Sequence, residues 1–279
     1  MQVWAHTLVK NEERYLWYSV TSIIDHVDRV LLWDSGSTDG SIEIERGLKK
    51  KYPDKISLKQ VTIGSLEEFP LARQKMLEET KSDWFIVLDG DEVWWEDSIK
   101  KLIKTINEKG RNLESIAVPM IYPVGDIFYR QEESAGRYKL AGKKGHVALR
   151  AINREIVGLS SSNPHGTWGW TDGNGQMIQN RDPKKIMFCD APYMHFSLLP
   201  RAGNRIDDSK VMKRSQKLKY ELGKPFPKDF YYPEVFFKPR PGSIPSPWQV
   251  MSPEFKFRAF FETPARLIKR KIWQGRAGY

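Results

Sequence analysis

The chain has 279 residues, 40% of them hydrophobic and 29% charged, a composition typical of a globular protein with one large domain or a core and an appendage. Its single cysteine, Cys189, excludes an internal disulfide framework and favours a reducing compartment. No run of about 18 apolar residues occurs, which excludes a membrane-spanning helix, and the chain begins with a strand-like pattern where a signal peptide would have an apolar stretch. We therefore expect a cytoplasmic protein.

The formal net charge is +10, from 45 basic and 35 acidic residues. An excess of this size favours an anionic partner, which can be a phosphate-bearing substrate, a membrane surface or a nucleic acid. The sequence has neither zinc-finger spacing nor an RNP-type motif, and this argues against a nucleic-acid partner. The net charge therefore indicates an anionic partner but does not identify which class of partner it is.

The first 114 residues alternate between strand-like and helix-like patterns. Such alternation is typical of parallel βαβ units with right-handed crossovers. The predicted strands are Val3–Val9, Arg29–Trp33, Ile56–Ile63 and Trp84–Leu88, and the predicted helices are Glu13–His26, a charged helix that ends near Lys51, Leu66–Thr80 and Glu96–Lys109.

The pattern changes in the second half of the chain. Ser115–Tyr122 and His146–Asn153 are predicted to be longer strands separated by a polar loop. Residues 158–182, dense in Gly, Ser, Asn and Trp, are predicted to form a mobile loop over the site. A basic helix is predicted near Asn204–Leu222.

The last segment differs in composition from the rest. Residues 223–254 contain many prolines and aromatic residues, so we expect them to wrap the surface without regular structure. Residues 255–279 predict a basic amphipathic helix, with Thr263 as its N-cap and Pro264 as its first residue. Two interpretations of this helix stay open: it contacts an anionic membrane surface, or it docks on the protein's own core with a solvated basic face.

An apolar run at residues 84–88 ends in three carboxylates, Asp89, Asp91 and Glu92. A short apolar run is typical of a strand buried in a parallel sheet, and ligands bind at the carboxyl ends of such strands. Clustered carboxylates suit Mg²⁺ or Mn²⁺ held together with a substrate phosphate. The alternative is a strand followed by a polar Asp-Gly turn. We expect these side chains to lie at a solvent-facing edge.

Other polar groups should meet the same edge. Residues 6–13 leave the first predicted strand, and Asp34 ends the second. The loop after Asp34 offers backbone N–H groups and a further carboxylate, Asp39, although its Ser, Asp and Gly residues also suit a helix N-cap and a turn. Arg73 lies on the predicted helix that precedes the run at residues 84–88. Its side chain could reach a diphosphate, or it could be a solvated cation on the face of the helix.

Five motifs follow one another along the chain: Lys10-Asn-Glu-Glu13, Asp34-Ser-Gly-Ser-Thr-Asp-Gly40, Leu71-Ala-Arg73, Leu88-Asp-Gly-Asp-Glu92 and Met194-His-Phe-Ser197. In this order they resemble the family 2 glycosyltransferases, and their spacing is similar to the bacterial lipopolysaccharide-core glucosyltransferase branch.

The resemblance spans roughly residues 1–220 and implies a GT-A fold. This is an α/β fold with a mostly parallel central sheet flanked by helices, here followed by an irregular and helical C-terminal extension. We expect a GT-A domain over residues 1–222, divided into a nucleotide-sugar-binding half (1–114) and an acceptor-side half (115–222). Residues 223–279 would form the extension.

The resemblance also implies roles for individual residues. The donor would be a UDP- or GDP-linked sugar, bound by Lys10, Asn11, Glu12, Asp34 and Asp39, with Asp34 on the base and Glu12 near the base and ribose. Arg73 would contact the diphosphate, and Asp89 would lie near the ribose. A divalent cation, Mn²⁺ or Mg²⁺, would be held by Asp91, with Asp89 and His195 as further ligands.

The chemistry implied is an inverting transfer to a hydroxyl of a glycan, a lipid-linked or another acceptor. Charge grows on the departing diphosphate, and a base on the opposite face of the sugar takes the acceptor proton. The related branch has a Val-His-Glu segment with a glutamate as the presumed base, whereas this chain has Pro164-His165-Gly166. Asp172 or His165 could substitute.

Trp168 and Trp170 lie in the same predicted loop, where an indole ring could stack on the acceptor sugar or simply anchor the loop. Two competing functions stay open. A nucleotidyltransferase is disfavoured because residues 6–14 contain no glycine for a phosphate-binding loop. A non-catalytic protein of the same fold that binds nucleic acid or anionic membrane is favoured only by the missing glutamate.

Overall fold

A computed structural model describes residues 1–163 and 168–272 of the chain. The fold is mixed α/β, and the predicted fold class is confirmed. The strands are β1 Val3–Val9, β2 Arg29–Asp34, β3 Ile56–Gln60, β4 Trp84–Val87, β5 Glu92–Trp94, β6 Ser115–Ile121, β7 Pro123–Val124, β8 Asp126–Arg130, β9 Tyr138–Leu140, β10 Lys143–Gly145, β11 Val147–Asn153, β12 Ser160–Ser162, β13 Gly169–Thr171, β14 Ile186–Phe188, β15 Tyr193–His195 and β16 Lys224–Pro225. The α-helices are α1 Leu16–Ile23, α2 Ser41–Lys51, α3 Glu68–Glu79, α4 Glu96–Lys109, α5 Arg205–Ser209, α6 Arg214–Lys217 and α7 Pro253–Ile272.

Among the described residues, nine strands form the central sheet, in the order β3-β2-β1-β4-β11-β6-β15-β5, with β14 also paired to β6. The first four of these are mutually parallel. β11 runs antiparallel to both of its neighbours and so separates the four parallel strands from β6, β15 and β5. Because β1, β2 and β4 point the same way, the loops that follow them emerge at one edge of the sheet.

The sheet is covered on both faces by apolar side chains. All four residues of β4 are buried, as expected for a strand with no solvent-facing side. On one face, α4 packs Ile99, Leu102 and Ile106 into the main core, a spacing that places all three on one side of the helix. On the other face, Met76 of α3 joins a smaller cluster around Trp33.

The predicted elements of the first half match the structure closely, but the basic helix predicted over Asn204–Leu222 is wrong. Two short helices, α5 and α6, replace it. Between them Lys213 has a backbone φ of +59°, a left-handed conformation that a continuing α-helix cannot contain.

The C-terminal helix also begins earlier than predicted. It starts at Pro253, so Pro264 lies inside it and is not its first residue. Thr263 Oγ1 donates to the carbonyl of Ala259 within the helix and accepts the amide of Leu222, which fixes the helix beside residues 220–222.

The segment between β16 and α7 wraps the core with little regular structure, as predicted. Tyr18 Oη donates to the Pro245 carbonyl at 2.7 Å, and Trp95 Nε1 donates to the Tyr231 carbonyl at 2.9 Å. The boundary at residue 222 stays a prediction. No helix within the described part of the chain has the length and apolar character to cross a membrane.

Candidate functional site

A cavity of about 750 Å³ opens at the carboxyl ends of β1 and β4. The loop after β2, the residues between β12 and β14, and the segment around α6 complete its walls. Seven residues that the sequence singles out line it: Lys10, Glu12, Arg73, Asp89, Asp91, Trp168 and His195. The structure thus gathers side chains from five separate stretches of sequence at one place.

The acidic turn after β4 packs tightly against the loop after β1. A Cβ at Gly90 would lie 2.9 Å from Cγ of Glu12, so glycine permits this close approach. Asp91 is fully buried, and its Oδ2 accepts from Arg201 at 2.6 Å and lies 3.5 Å from Nε2 of His195. The expectation of a solvent-facing Asp91 is therefore wrong, because residues 195–201 fold over it.

Asp89 differs from Asp91, since its side chain is 36% exposed to the cavity. Arg73 donates to Asp89 Oδ1 at 2.9 Å and is itself buried. Arg150 contacts both Asp89, at 3.7 Å, and the buried Glu92. These ion pairs fix the acidic turn to α3 and β11.

A β-bulge in β11 directs Arg150 to this position. The pairing of β11 with β6 shifts register between Leu149 and Ala151, so Arg150 is the extra residue. Bulges re-aim a side chain, and this one sends a cation under the turn. In the sequence, a lone arginine within an otherwise apolar predicted strand was the available signal for it.

A row of cations from the segment 201–217 faces the acidic turn. Arg201 bridges Asp91 and Glu12, at 2.6 and 3.2 Å. Arg214 contacts Glu12 and, at 3.1 Å, Asp208. Lys217 lines the cavity as well. We call Arg201, Arg214 and Lys217 the basic wall; sequence analysis did not identify it, because nothing local links these residues to the turn.

Burial and neighbouring charge set the protonation of two site residues. Burial alone would raise the pKa of Asp91, but Arg201, His195 and Lys217 together outweigh it and hold that pKa well below its usual range. Burial lowers the pKa of His195, so its ring is neutral at neutral pH. Neutral imidazole is the form that binds a metal ion.

The donor atoms at the turn fit a hard divalent cation. One ligand atom each from Asp89, Glu92 and His195 lie within 4.8 Å of one another. Oδ1 of Asp91 is buried and has no hydrogen-bond partner among the described residues. Carboxylate oxygens with one imidazole suit Mn²⁺ or Mg²⁺. The expected ligand set of Asp89, Asp91 and His195 thereby gains Glu92 as a fourth candidate.

Asp34 lies buried at the end of β2 and organises the loop that follows. Its Oδ1 accepts the amides of Gly36, at 2.8 Å, and Ser37, at 3.0 Å. Its neighbour Ser35 lines the cavity, whereas Asp34 itself does not. Burial and the adjacent Asp34 raise the pKa of Glu45 to about 9, so Glu45 is protonated at neutral pH.

Asn11 and Asp39 brace the loops rather than face the cavity. Asn11, with φ of +55°, accepts the Thr38 amide at 2.7 Å and donates to the Asp207 carbonyl at 2.8 Å. Asp39 accepts the amide of Ser41 at 3.0 Å, at the start of α2. These contacts match the turn interpretation of the loop; the N-cap of α2 is Gly40, so no side chain caps the helix there.

The predicted loop at 158–182 closes one side of the cavity. Trp168 lines it, lies 5.2 Å from the Arg73 guanidinium and donates to Ser161. Trp170 is instead a core residue, 3% exposed and packed on Phe85. This gives Trp168, and not Trp170, a surface that a ligand can reach.

The two candidate bases are placed differently. Asp172 is buried outside the cavity lining; its Oδ1 accepts the amides of Asn174 and Gln176, and its Oδ2 pairs with Arg181. These are the contacts of a turn residue. His165 lies outside the described residues.

The sequence was also compared with known protein families and with known proteins. Residues 6–196 match the family model described as "Glycosyl transferase family 2". No curated protein matches the chain.

Solved structures give more distant similarities. S. aureus TarS 1–349 in complex with UDP-GlcNAc has a TM-score of 0.48 at 12% identity over 76% of this chain and 61% of that one. Glucosyl-3-phosphoglycerate synthase from Mycobacterium tuberculosis, in complex with Mn²⁺, UDP-glucose and phosphoglyceric acid, has a TM-score of 0.44 at 14% identity over 76% of each chain. The chain spans only 37% of a longer S. aureus TarS structure. At these scores the similarities assign no substrate.

Proposed function

The chain belongs to glycosyl transferase family 2, a family of glycosyltransferases, and on that premise we propose that it moves a sugar from a nucleoside-diphosphate sugar to an acceptor hydroxyl. The donor would be UDP- or GDP-linked. The lipopolysaccharide-core branch stays a proposal that rests on motif spacing alone.

One observation carries the proposal: the acidic turn and the basic wall line the same cavity and touch each other through the pair of Arg201 with Asp91. A diphosphate is a dense anion, and its charge grows as the sugar leaves. Arg201 and Lys217 would supply positive charge to a diphosphate bound there. Asp89, Asp91, Glu92 and His195, beside them, would supply the ligands of a cation.

We propose a divalent cation, Mn²⁺ or Mg²⁺, as cofactor, held by Asp91 and His195 with Asp89 and Glu92 beside them. When bound, it would neutralise charge on the diphosphate. Arg73 would orient the turn by its ion pair with Asp89 and would meet the diphosphate at the cavity wall. Lys10 and Glu12 line the part of the cavity nearest β1, where we place the nucleoside.

For the acceptor side we propose inversion, with Trp168 against the acceptor. Asp172 is already engaged by Arg181 and two backbone amides. We therefore favour His165 over Asp172 as the base. The acceptor would be a glycan or a lipid-linked hydroxyl, at a cytoplasmic location with peripheral membrane contact through residues 255–279.

The test is a nucleotide-release assay with UDP- and GDP-sugars, with and without Mn²⁺. We expect release with one donor class, lost in Asp91→Asn and kept in Asp229→Asn, an exposed aspartate away from the cavity. Absence of release with every donor, together with nucleotide binding that ignores chelation, would overturn the proposal and favour a non-catalytic binder.

A further inference from the structure

The C-terminal helix α7 turns its apolar side away from the protein. Five of its large apolar side chains are between 57% and 79% exposed, and Leu267 is 37% exposed. At about 3.6 residues per turn, these positions share one side of the helix. We call this set the apolar face; it comprises Phe257, Phe260, Phe261, Leu267, Ile268 and Ile272.

The opposite, mostly polar side attaches α7 to the protein. Arg266 donates to the Tyr220 carbonyl at 3.1 Å, and Arg270 pairs with Glu221 at 2.6 Å. Ala259, on this same side, is fully buried. A surface helix normally buries its apolar stripe and exposes its charges. Here the orientation is reversed, so the core-docked interpretation of the apolar residues is wrong.

The helix is strongly basic as well as apolar. Residues 253–272 contain six basic residues and two acidic ones, a formal charge of +4. Lys219 lies close by, and burial together with Arg266 and Arg270 lowers its pKa. Lys256 and Lys269 are exposed on the two flanks of the apolar face. Cations flanking an apolar stripe suit a surface that is apolar inside and anionic at its edge.

The charge also argues against a second copy of the chain as the occupant. Two such helices placed face to face would bring +4 against +4, with the lysine flanks adjacent. Anionic lipid headgroups would instead neutralise the flanks, while Phe260 and Phe261, with ring centroids 5.3 Å apart, enter the acyl region.

We propose that α7 lies in the interface of an anionic phospholipid bilayer, with the apolar face immersed and the basic flanks against the headgroups. This inference rests on the peripheral contact proposed above and specifies its surface and its lipid chemistry. Vesicle binding is measured without donor or acceptor, so it can fail while sugar transfer holds, and the reverse is equally observable.

The experiment is co-sedimentation of the full chain with vesicles of phosphatidylcholine mixed with phosphatidylglycerol, and with phosphatidylcholine alone. We expect binding to the mixed vesicles that weakens with salt. The double variant Phe260→Ser/Phe261→Ser should lose roughly tenfold or more in affinity, because each immersed phenylalanine contributes apolar burial. Both side chains are exposed, so the variant should keep the melting temperature of the parent.

Phe237→Ser is the matched control, since Phe237 is 63% exposed, like Phe261, but lies outside α7. It should bind as the parent does. Lys256→Gln/Lys269→Gln should reduce the preference for anionic vesicles. Equal binding by the Phe260/Phe261 variant, no binding by the parent, or a parent dimer that this variant converts to a monomer would each overturn the proposal.

Discussion

Asp91 is held by Arg201, an arginine 110 positions further along the chain. Asp91→Asn should therefore abolish nucleotide release. It should also destabilise the fold, because the buried Arg201 loses one of its partners. Since Glu12 still pairs with Arg201, we expect a loss of about 3 kcal/mol, near the lower end of the cost of unpairing a buried ion. Denaturant unfolding and the release assay check the two effects separately. An unchanged unfolding midpoint would show that the Arg201 pair contributes nothing to stability.

The double variant Asp91→Asn/Arg201→Met separates charge from ligation. It removes both ions, so stability should largely return while activity does not. Recovery of activity in this variant would contradict a role for Asp91 at the reaction centre.

Glu45 gives a prediction about pH. The pKa of Glu45 in the folded protein, about 9, is above its ordinary value of 4.5, so its contribution to stability is complete below pH 4.5 and is lost as the pH rises towards 9. Glu45→Gln cannot ionise and adds no charge beside Asp34. It should reduce the slope of unfolding free energy against pH between 5 and 9, measured by urea unfolding at several pH values. Glu43→Gln, on the same helix, should leave the slope unchanged.

Local sequence could predict the carboxylates of the site but not their partners. The apolar run ending at Leu88 places Asp89 and Asp91 at a sheet edge by periodicity alone. Arg201 reaches Asp91 only through the tertiary path of the chain, and the bulge at Arg150 depends on how β11 pairs with β6. The residues next to Arg150 and Arg201 in the sequence indicate neither contact; the one local sign is that Arg150 is a charged residue among apolar ones.

At the scale of elements, the break between α5 and α6 depends on one strained residue. Lys213 holds φ of +59°, which costs a side-chain-bearing residue about 1 kcal/mol relative to glycine. Lys213→Gly should stabilise the protein by up to about that amount, seen as a higher thermal midpoint. Lys213→Ala removes the same side chain but keeps the strain, so it should not raise the midpoint. Equal effects of the two variants would assign the change to the side chain.

Elements with a clear period were predictable, and those set by tertiary contacts were not. β1 and α4 match their predicted bounds because a strand-like run of residues and the helical spacing of apolar residues are both features of the local sequence. The amphipathic pattern of α7 was equally readable, but its orientation was not, since it depends on Glu221 and Tyr220 accepting the arginines of the polar side. The burial of Trp170 was likewise not predictable, since it depends on packing against Phe85, a residue distant in sequence.

At the scale of the whole molecule, ligand binding should stabilise the folded state. Mn²⁺ with the cognate nucleoside diphosphate, at a concentration about a hundredfold above Kd, should add about 2.7 kcal/mol and raise the thermal midpoint by roughly 5 °C or more. Lys217→Gln should shrink this shift, whereas Lys228→Gln, exposed and outside the cavity lining, should not. A shift equal with and without Mn²⁺ would count against the cofactor.

The arginines that pair with the site's carboxylates have a consequence for the resting protein. Carboxylates that lie close together without cations repel one another. Here the counter-ions belong to the protein itself: they are Arg73, Arg150 and Arg201. A cation and a nucleoside diphosphate bound as proposed would exchange these ion pairs: the carboxylates would turn to the cation, and the guanidinium groups would be released to the phosphates. Before any ligand binds, the arginines keep the carboxylates from repelling one another.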